Sequence, residues 1–186
     1  YVFPQIESFV GGDTVAGILA ARLDRSDKPT ILVDIGTNGE IVLANGPRMY
    51  ATSTAAGPAF EGARITPGMR ATAGAIEKII IDSDVQYNVI GNTRPAGICG
   101  TALIDSVAGL LRTGLVDATG RLLEDAELDP KTPASLRERL VTKDGDTAFI
   151  LAPGSETASG EPVCLWQRDI RELQLASAAI RSGITI

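Results

Sequence analysis

The segment from residue 31 to residue 43 constrains the fold of this 186-residue chain more than any other. Two apolar runs, Ile31–Val33 and Ile41–Leu43, flank a short polar segment that carries two glycines. Such runs, separated by a glycine-bearing turn, predict a β-hairpin. Because glycine has no Cβ, we expect Gly36 and Gly39 to adopt positive φ and to point successive N–H groups into one concavity. The tip of the hairpin is therefore predicted to admit an anion close to the backbone.

An acidic residue, Asp34, stands where the first strand of this hairpin ends. A carboxylate beside a phosphate is repulsive unless a cation lies between them, so the arrangement predicts Mg²⁺ held by Asp34 through water. The turn also contains Thr37 and Asn38, which carry short side chains with hydrogen-bond donors. The same spacing is ordinary hairpin chemistry as well, and many such hairpins bind no ligand.

A second informative stretch follows the predicted third strand and is built from very small residues. Ala55, Ala56 and Gly57 fill a core poorly, but they permit close approach of the backbone to a ligand or to another strand. We expect a helix to begin near Pro58, since proline favours the first helical position. The N–H groups of that helix would face an anion. The alternative is a tight crossing from strand to helix with no ligand.

Composition and charge exclude several classes of function. The formal net charge is −6 and no basic cluster is present, which argues against nucleic acid as a partner. Two cysteines and no histidine supply neither the four thiolates of an iron–sulfur cluster nor a Cys/His zinc site. We expect both cysteines to be reduced core residues. The sequence contains no signal peptide and no apolar run of membrane-spanning length, and it predicts a cytoplasmic protein without a membrane partner.

The remaining elements predict an α/β fold (α+β mixed) with a mixed β-sheet flanked by helices. The predicted helices are Thr14–Leu23, Thr101–Thr113, a short helix at Ala134–Leu140 and a last helix. The predicted strands beyond the hairpin are Arg48–Ser53, Ala75–Asp82, Val85–Ile90, Ala148–Ala152 and Val163–Gln167. We expect Asp13 to cap the first helix, the alternative being that it is a neighbour of the cation site. We also expect Asp169 to cap the last helix and Gly183 to end it. Residues 116–146 are charged and proline-containing, and they are predicted to form a surface excursion.

Several of these motifs together resemble one family. The segment from Asp34 to Glu40 resembles a phosphate loop of the actin, sugar kinase and heat-shock ATPase (ASKHA) superfamily. The further matching motifs, in chain order, are Ser53–Gly62, Gly68-Met69-Arg70, Gly97-Ile98-Cys99-Gly100 and Asp169–Ala176. This series resembles the C-terminal ATPase region of the reductive activators of corrinoid proteins, and the resemblance extends over nearly the whole chain.

The resemblance implies a ribonuclease-H-like, actin-like ATPase lobe. Residues 1–186 would be a partial ASKHA domain and a fragment of a longer protein, because segments of the type Asp-Ile-Gly-Thr-Thr-Thr and Leu-Ala-Gly-Ala-Phe-Gly are absent. It also implies ATP-dependent reduction of Co(II) to Co(I) in a corrinoid protein of a methyl-transfer system. The implied cofactors are ATP and Mg²⁺, with a [2Fe-2S] cluster on an N-terminal domain outside this sequence. A homodimer is one expected assembly.

The resemblance assigns a role to nine residues of this sequence. Asp34 would be the catalytic residue and the ligand of Mg²⁺ through water. The residues assigned to the nucleotide and its phosphates are Gly36, Thr37, Asn38, Gly39, Glu40, Ala56, Gly57 and Glu61. Two alternatives remain open: a non-enzymatic interaction domain of the same fold, and an ATPase that activates another low-potential reductive system. The dehydratase activators of the second kind carry cysteines for a [4Fe-4S] cluster, a spacing this sequence lacks.

Overall fold

The computed structural model describes residues 3–6 and 10–186, and the chain divides into two compact units. The first unit comprises Tyr1–Pro58 and Leu175–Ile186, and the second comprises Ala59–Gln174. The α-helices are α1 (Gly12–Ala20), α2 (Gly100–Arg112), α3 (Ala134–Arg137) and α4 (Gln167–Thr185). The strands are β1 (Thr30–Ile35), β2 (Gly39–Asn45), β3 (Arg48–Thr54), β4 (Ala75–Ile81), β5 (Val85–Val89), β6 (Gly97–Ile98), β7 (Leu140–Lys143), β8 (Asp146–Ala152) and β9 (Val163–Trp166). Short 3₁₀ turns occupy Leu23–Arg25, Ile90–Asn92 and Asp125–Glu127.

The first unit is built on an antiparallel meander of β1, β2 and β3, in that order. This confirms the predicted hairpin and the predicted third strand. Strand residues alternate between the two faces of a sheet. On one face, Ile18 and Leu23 pack with Val42 and Ala44, and Leu32 completes this cluster. Helix α1 therefore covers the sheet through an apolar layer.

Helix α1 begins two residues earlier than predicted, at Gly12 and not at Thr14. The helix starts at Gly12, with Gly11 at the N-cap position and no side-chain cap. Asp13 lies inside the first turn, where its Oδ1 accepts the Thr14 N–H at 2.9 Å. The prediction of Asp13 as the N-cap was wrong, because the two preceding glycines let the helix begin before it.

The second unit contains two further three-stranded sheets, with orders β5-β4-β6 and β7-β8-β9. The pair β4–β6 is parallel, whereas β4–β5, β7–β8 and β8–β9 are antiparallel, so the chain contains a mixed sheet as predicted. Helix α2 packs on β4 so closely that a Cβ on Gly109 would lie 2.9 Å from the Cβ of Ile81. Gly114 ends this helix with a φ of +73°, in agreement with the sequence prediction.

The stretch predicted as a surface excursion, residues 116–146, supplies part of the core of the second unit. Leu122, Leu128 and Leu136 are buried within it. The guanidinium of Arg137 donates to the carbonyl oxygens of Asp125 at 3.0 Å and Asp129 at 2.5 Å. These bonds fold the charged segment onto α3, which explains how a polar sequence contributes buried leucines.

The glycine motifs of the second unit bring backbone segments into close contact. A Cβ on Gly68 would collide with the carbonyl oxygen of Gly62, and a Cβ on Gly100 would collide with that of Phe60. No helix begins near Pro58, contrary to the prediction: residues 58–64 form successive turns. Gly62 and Arg64 have φ values of +82° and +65°, which a right-handed helix does not allow.

Helix α4 differs from its prediction at both ends. Asp169 is buried in the first turn, where its Oδ2 accepts the Trp166 N–H at 2.9 Å and its Oδ1 accepts the Thr66 N–H at 2.8 Å. Asp169 therefore accepts the N–H of the residue before the helix from the third helical position, as in one half of a capping box, and is not the N-cap. Gly183 does not end the helix, which continues to Thr185.

Candidate functional site

The tip of the first hairpin is a three-residue loop, Gly36–Asn38, closed by the pair Ile35 and Gly39. The N–H of Gly36 donates to the carbonyl of Asn38 at 3.1 Å, so it is already used inside the loop. The positive φ predicted for Gly36 and Gly39 was wrong, since neither glycine has it. Gly39 is required for a different reason: a Cβ there would lie 2.8 Å from Oγ1 of Thr54 and 3.0 Å from Cγ1 of Ile180.

The register of the hairpin places Asp34 directly opposite Glu40. Residues paired in this way point to the same face of a sheet, and like charges in such positions are destabilising unless a counterion intervenes. Ser53 lies opposite Glu40 on β3, and its hydroxyl donates to Oε1 of Glu40 at 3.3 Å. The register therefore puts the two carboxylates on one face of the hairpin. Glu40 was predicted to contact phosphate, because spacing alone does not reveal which residue lies opposite Asp34.

The small-residue stretch after β3 closes onto the hairpin tip. The N–H of Gly57 donates to the carbonyl of Thr37 at 2.8 Å, and Gly57 has a φ of +78°. Ala56 is buried, and its N–H donates to the carbonyl of Thr54 at 3.0 Å. The structure thus brings Ala56 and Gly57 to the loop that the sequence predicted as a phosphate site. A hollow of about 490 Å³ adjoins this loop, and its lining includes Asn38.

A buried hydroxyl near this hairpin was missed by the sequence analysis. Thr14 is 1% exposed, and its Oγ1 is the one fully buried side-chain N or O atom of the described residues that lacks a hydrogen-bond partner. It lies in the first turn of α1, on the face that packs against the sheet. The sequence prediction gave Thr14 no role, because a threonine in a helix can equally point to solvent or bond to a backbone carbonyl.

Glu61 belongs to a different unit of the chain from the other predicted site residues. It is exposed and belongs to the second unit, whereas the other eight belong to the first. Its role toward the nucleotide stays a prediction. Cys99 and Cys164 are free and buried, as expected for core residues, and burial raises the pKa of the Cys164 thiol.

The described part of the chain contains neither a cluster of metal-ligand side chains nor a membrane-spanning helix. No group of three or more Asp, Glu, Cys or His side chains is arranged there to hold a metal ion. No helix among the described residues combines the length and apolar character needed to cross a membrane.

Comparison with known proteins assigns the chain to a family. Residues 28–186 match the family described as the C-terminal domain of RACo, the ASKHA domain. The chain is 40% identical over 182 residues to the corrinoid activation enzyme RamQ of Eubacterium limosum, covering 97% of the chain and 30% of that protein. It is 29% identical over 203 aligned positions to the [Co(II) methylated amine-specific corrinoid protein] reductase of Methanosarcina barkeri, covering 97% and 32%.

A solved structure supports the same assignment. The reductive activator for corrinoid, iron–sulfur protein superposes on the whole chain with a TM-score of 0.87 and 38% sequence identity, and 28% of that protein is covered. The chain therefore spans about a third or less of the length of the relatives it matches. The chain belongs to the family of C-terminal ASKHA domains of RACo.

Proposed function

We propose that this chain binds MgATP as part of an ATP-dependent reductive activator that converts the Co(II) state of a corrinoid protein to Co(I). Support comes from the family match and from relatives that are named as a corrinoid activation enzyme and a Co(II) corrinoid protein reductase. Because the chain spans about a third or less of those relatives, the activity belongs to the whole protein. Binding of the nucleotide is the step proposed for this chain.

The single observation that carries the proposal is the cross-strand pair of Asp34 and Glu40 at the hairpin tip. Two carboxylates on one face fit Mg²⁺, which prefers oxygen ligands and keeps several of its waters. The unpartnered hydroxyl of Thr14 also fits a site that is completed by a bound group. Bound Mg²⁺ neutralises phosphate charge during phosphoryl transfer. In this reading Asp34 and Glu40 hold and orient its water ligands, and Ser53 fixes Glu40.

We propose that the phosphate groups bind beside the hairpin loop, residues 36–38, and the small-residue segment that packs against it. Gly36 is committed to an internal hydrogen bond, so we assign phosphate contact to the side chains of Thr37 and Asn38 and to the backbone beside Gly39. Gly57 holds the loop in place through its hydrogen bond to the carbonyl of Thr37, and Ala56 is buried beside it. Because both residues are small, they leave the approach to the backbone open.

In the whole protein, nucleotide binding would control electron transfer rather than perform it. A nucleotide shifts a conformational equilibrium only by its different affinities for the two states. We propose that this shift favours contact with the corrinoid protein, and that the electron comes from a [2Fe-2S] domain outside this sequence. The proposal places the protein in the cytoplasm and allows a homodimer.

Calorimetric titration with MgATP tests the proposal. We expect Asp34→Ala to weaken binding by roughly tenfold to a hundredfold, the usual effect of losing a group that orients a metal's ligands. Asp27→Ala is the matched control. Asp27 is an exposed acidic residue before β1, so this substitution removes the same charge away from the proposed site. Absence of MgATP binding by the wild-type protein, or equal binding by the Asp34→Ala variant, would contradict the proposal.

A second experiment addresses the activity of the whole protein. The absorbance of a Co(II) corrinoid protein is followed in the presence of a reductant and the full-length activator. We expect formation of Co(I) that requires ATP and is lost in the Asp34→Ala variant but kept in Asp27→Ala. Reduction that proceeds at the same rate without ATP would refute the proposed coupling.

A further inference from the structure

The hydroxyl of Thr14 has no partner although the surrounding protein buries it fully. Burial of a hydroxyl without a hydrogen bond is unfavourable, and such groups are few in native proteins. Valine has nearly the same shape and would fill the position without that cost. The polar atom therefore calls for an explanation beyond packing.

The packing of α1 gives the direction in which Thr14 faces. Ile18, one helical turn after Thr14, shares one buried cluster with Leu32. Val10, two residues before the helix, lines the same hollow as Asn38 at the hairpin tip, so the start of α1 lies near the end of β1. Helix α1 thus runs antiparallel to β1, and Thr14 lies about one turn, ~5 Å, closer to the end of the strand than Ile18 does.

The end of the strand toward which Thr14 lies is the end that carries the carboxylates. Asp34 follows Leu32 by two residues and Glu40 precedes Val42 by two, so both point to the face that α1 covers. Ser53, opposite Glu40, shares this face. The layer between α1 and the sheet is therefore apolar along most of its length and polar at this end, where it contains the hydroxyl of Thr14, the two carboxylates and Ser53.

We infer that Thr14 is a positioning residue for the cation site at Asp34 and Glu40. Its hydroxyl donates to the Asp34 carboxylate when that group turns to hold the water ligands of Mg²⁺. This inference rests on the proposed function. The Asp34 carboxylate would then supply the partner that the buried hydroxyl of Thr14 lacks. The cation site then extends from the hairpin to the first turn of α1.

The test compares Thr14→Val with Thr14→Ser and measures two quantities, the Tm without ligand and the affinity for MgATP by calorimetry. We expect Thr14→Val to raise the Tm, because it removes an unpaired buried polar atom, and to weaken MgATP binding about tenfold. Thr14→Ser keeps the hydroxyl and is expected to restore the affinity. Thr113→Val is the control. The hydroxyl of Thr113 donates to the carbonyl of Gly109, and its removal should leave the affinity for MgATP unchanged.

Each outcome decides between the inference and its alternatives. A higher Tm with unchanged MgATP affinity in Thr14→Val would overturn the inference while leaving the proposed function intact. Absence of MgATP binding by the wild-type protein would remove the proposed function and this inference with it. Titration with ATP in the presence of EDTA adds a further requirement: the wild-type and Thr14→Val proteins must then bind equally, because the hydroxyl acts through the cation site.

Discussion

Replacement of Gly183 by alanine tests whether this glycine ends α4 or packs inside it. The helix continues through Gly183 to Thr185. A Cβ at this position would lie 2.5 Å from Cδ1 of Ile41 and 2.5 Å from Cγ2 of Thr54. Carbon atoms prefer separations of about 3.5–4.0 Å, so each contact is too short by roughly 1 Å.

Two effects of opposite sign determine the result. Alanine is favoured over glycine within a helix by about 1 kcal/mol. Overpacking a well-filled position costs typically about 1–3 kcal/mol. Ile41 is 4% exposed and belongs to the central strand of the meander, so its side chain has little room to move away. We therefore expect the overpacking to prevail and the free energy of unfolding to fall by up to about 2 kcal/mol, the difference between the two effects.

Urea denaturation followed by circular dichroism measures this free energy for Gly183→Ala, for Ile41→Val and for the double variant. Ile41→Val removes Cδ1, one of the two colliding atoms, and by itself costs about 0.5–1.5 kcal/mol. The double variant should be more stable than the sum of the two single effects predicts. Strictly additive effects, or a Gly183→Ala variant more stable than the wild type, would refute the packing explanation.

The other predictions concern a loop and a charged pair. Gly57→Ala should lower the Tm, because a φ of +78° is strained for alanine although no atom lies within 4 Å of the added Cβ; Gly46→Ala, with a φ of +59° and equally open surroundings, is the control for strain away from the loop. The change at Gly57 should also weaken MgATP binding, and the change at Gly46 should not. The hydrogen bond from Arg121 lowers the pKa of Glu127 from its ordinary 4.5 to about 2. A carboxyl group whose pKa is lower in the folded state stabilises the protein at pH values above its unfolded-state pKa, and this stabilisation is lost as the pH falls towards the folded-state pKa. The Tm of Glu127→Gln should therefore depend less on pH than the Tm of the wild type between about pH 4.5 and pH 2. Identical pH profiles would contradict this assignment.

Local sequence determined most of the elements but not the register of the first hairpin. Asn38-Gly39 is a strong signal for a two-residue turn, which would pair Thr37 with Glu40. That register would place Leu43 opposite Asp34. The structure instead closes a three-residue loop and pairs Asp34 with Glu40. Register is set by which face is buried, and here Leu32 and Val42 must both face α1.

The roles of the glycines were also beyond local prediction. The sequence predicted positive φ at Gly36 and Gly39, yet Gly39 is needed because Thr54 and Ile180 lie against it. Gly183 was predicted as a helix end for the same reason, whereas its neighbours come from β2 and β3. A glycine that permits close packing and one that permits a left-handed turn look alike in sequence. Only the segments that approach it in the fold distinguish them.

Three local features at one end of the α1–sheet layer are unfavourable for stability. Asp34 and Glu40 carry like charges in opposite positions, Thr14 has a buried hydroxyl without a partner, and Gly11 gives α1 no side-chain cap. Departures from local stability that concentrate in one place are characteristic of functional sites. If the three were unrelated, neutralising or removing each group would stabilise the protein without changing ligand affinity. If they form one site, gains in Tm and losses in MgATP affinity must occur together, and Glu40→Gln and Thr14→Val must be non-additive in affinity when combined.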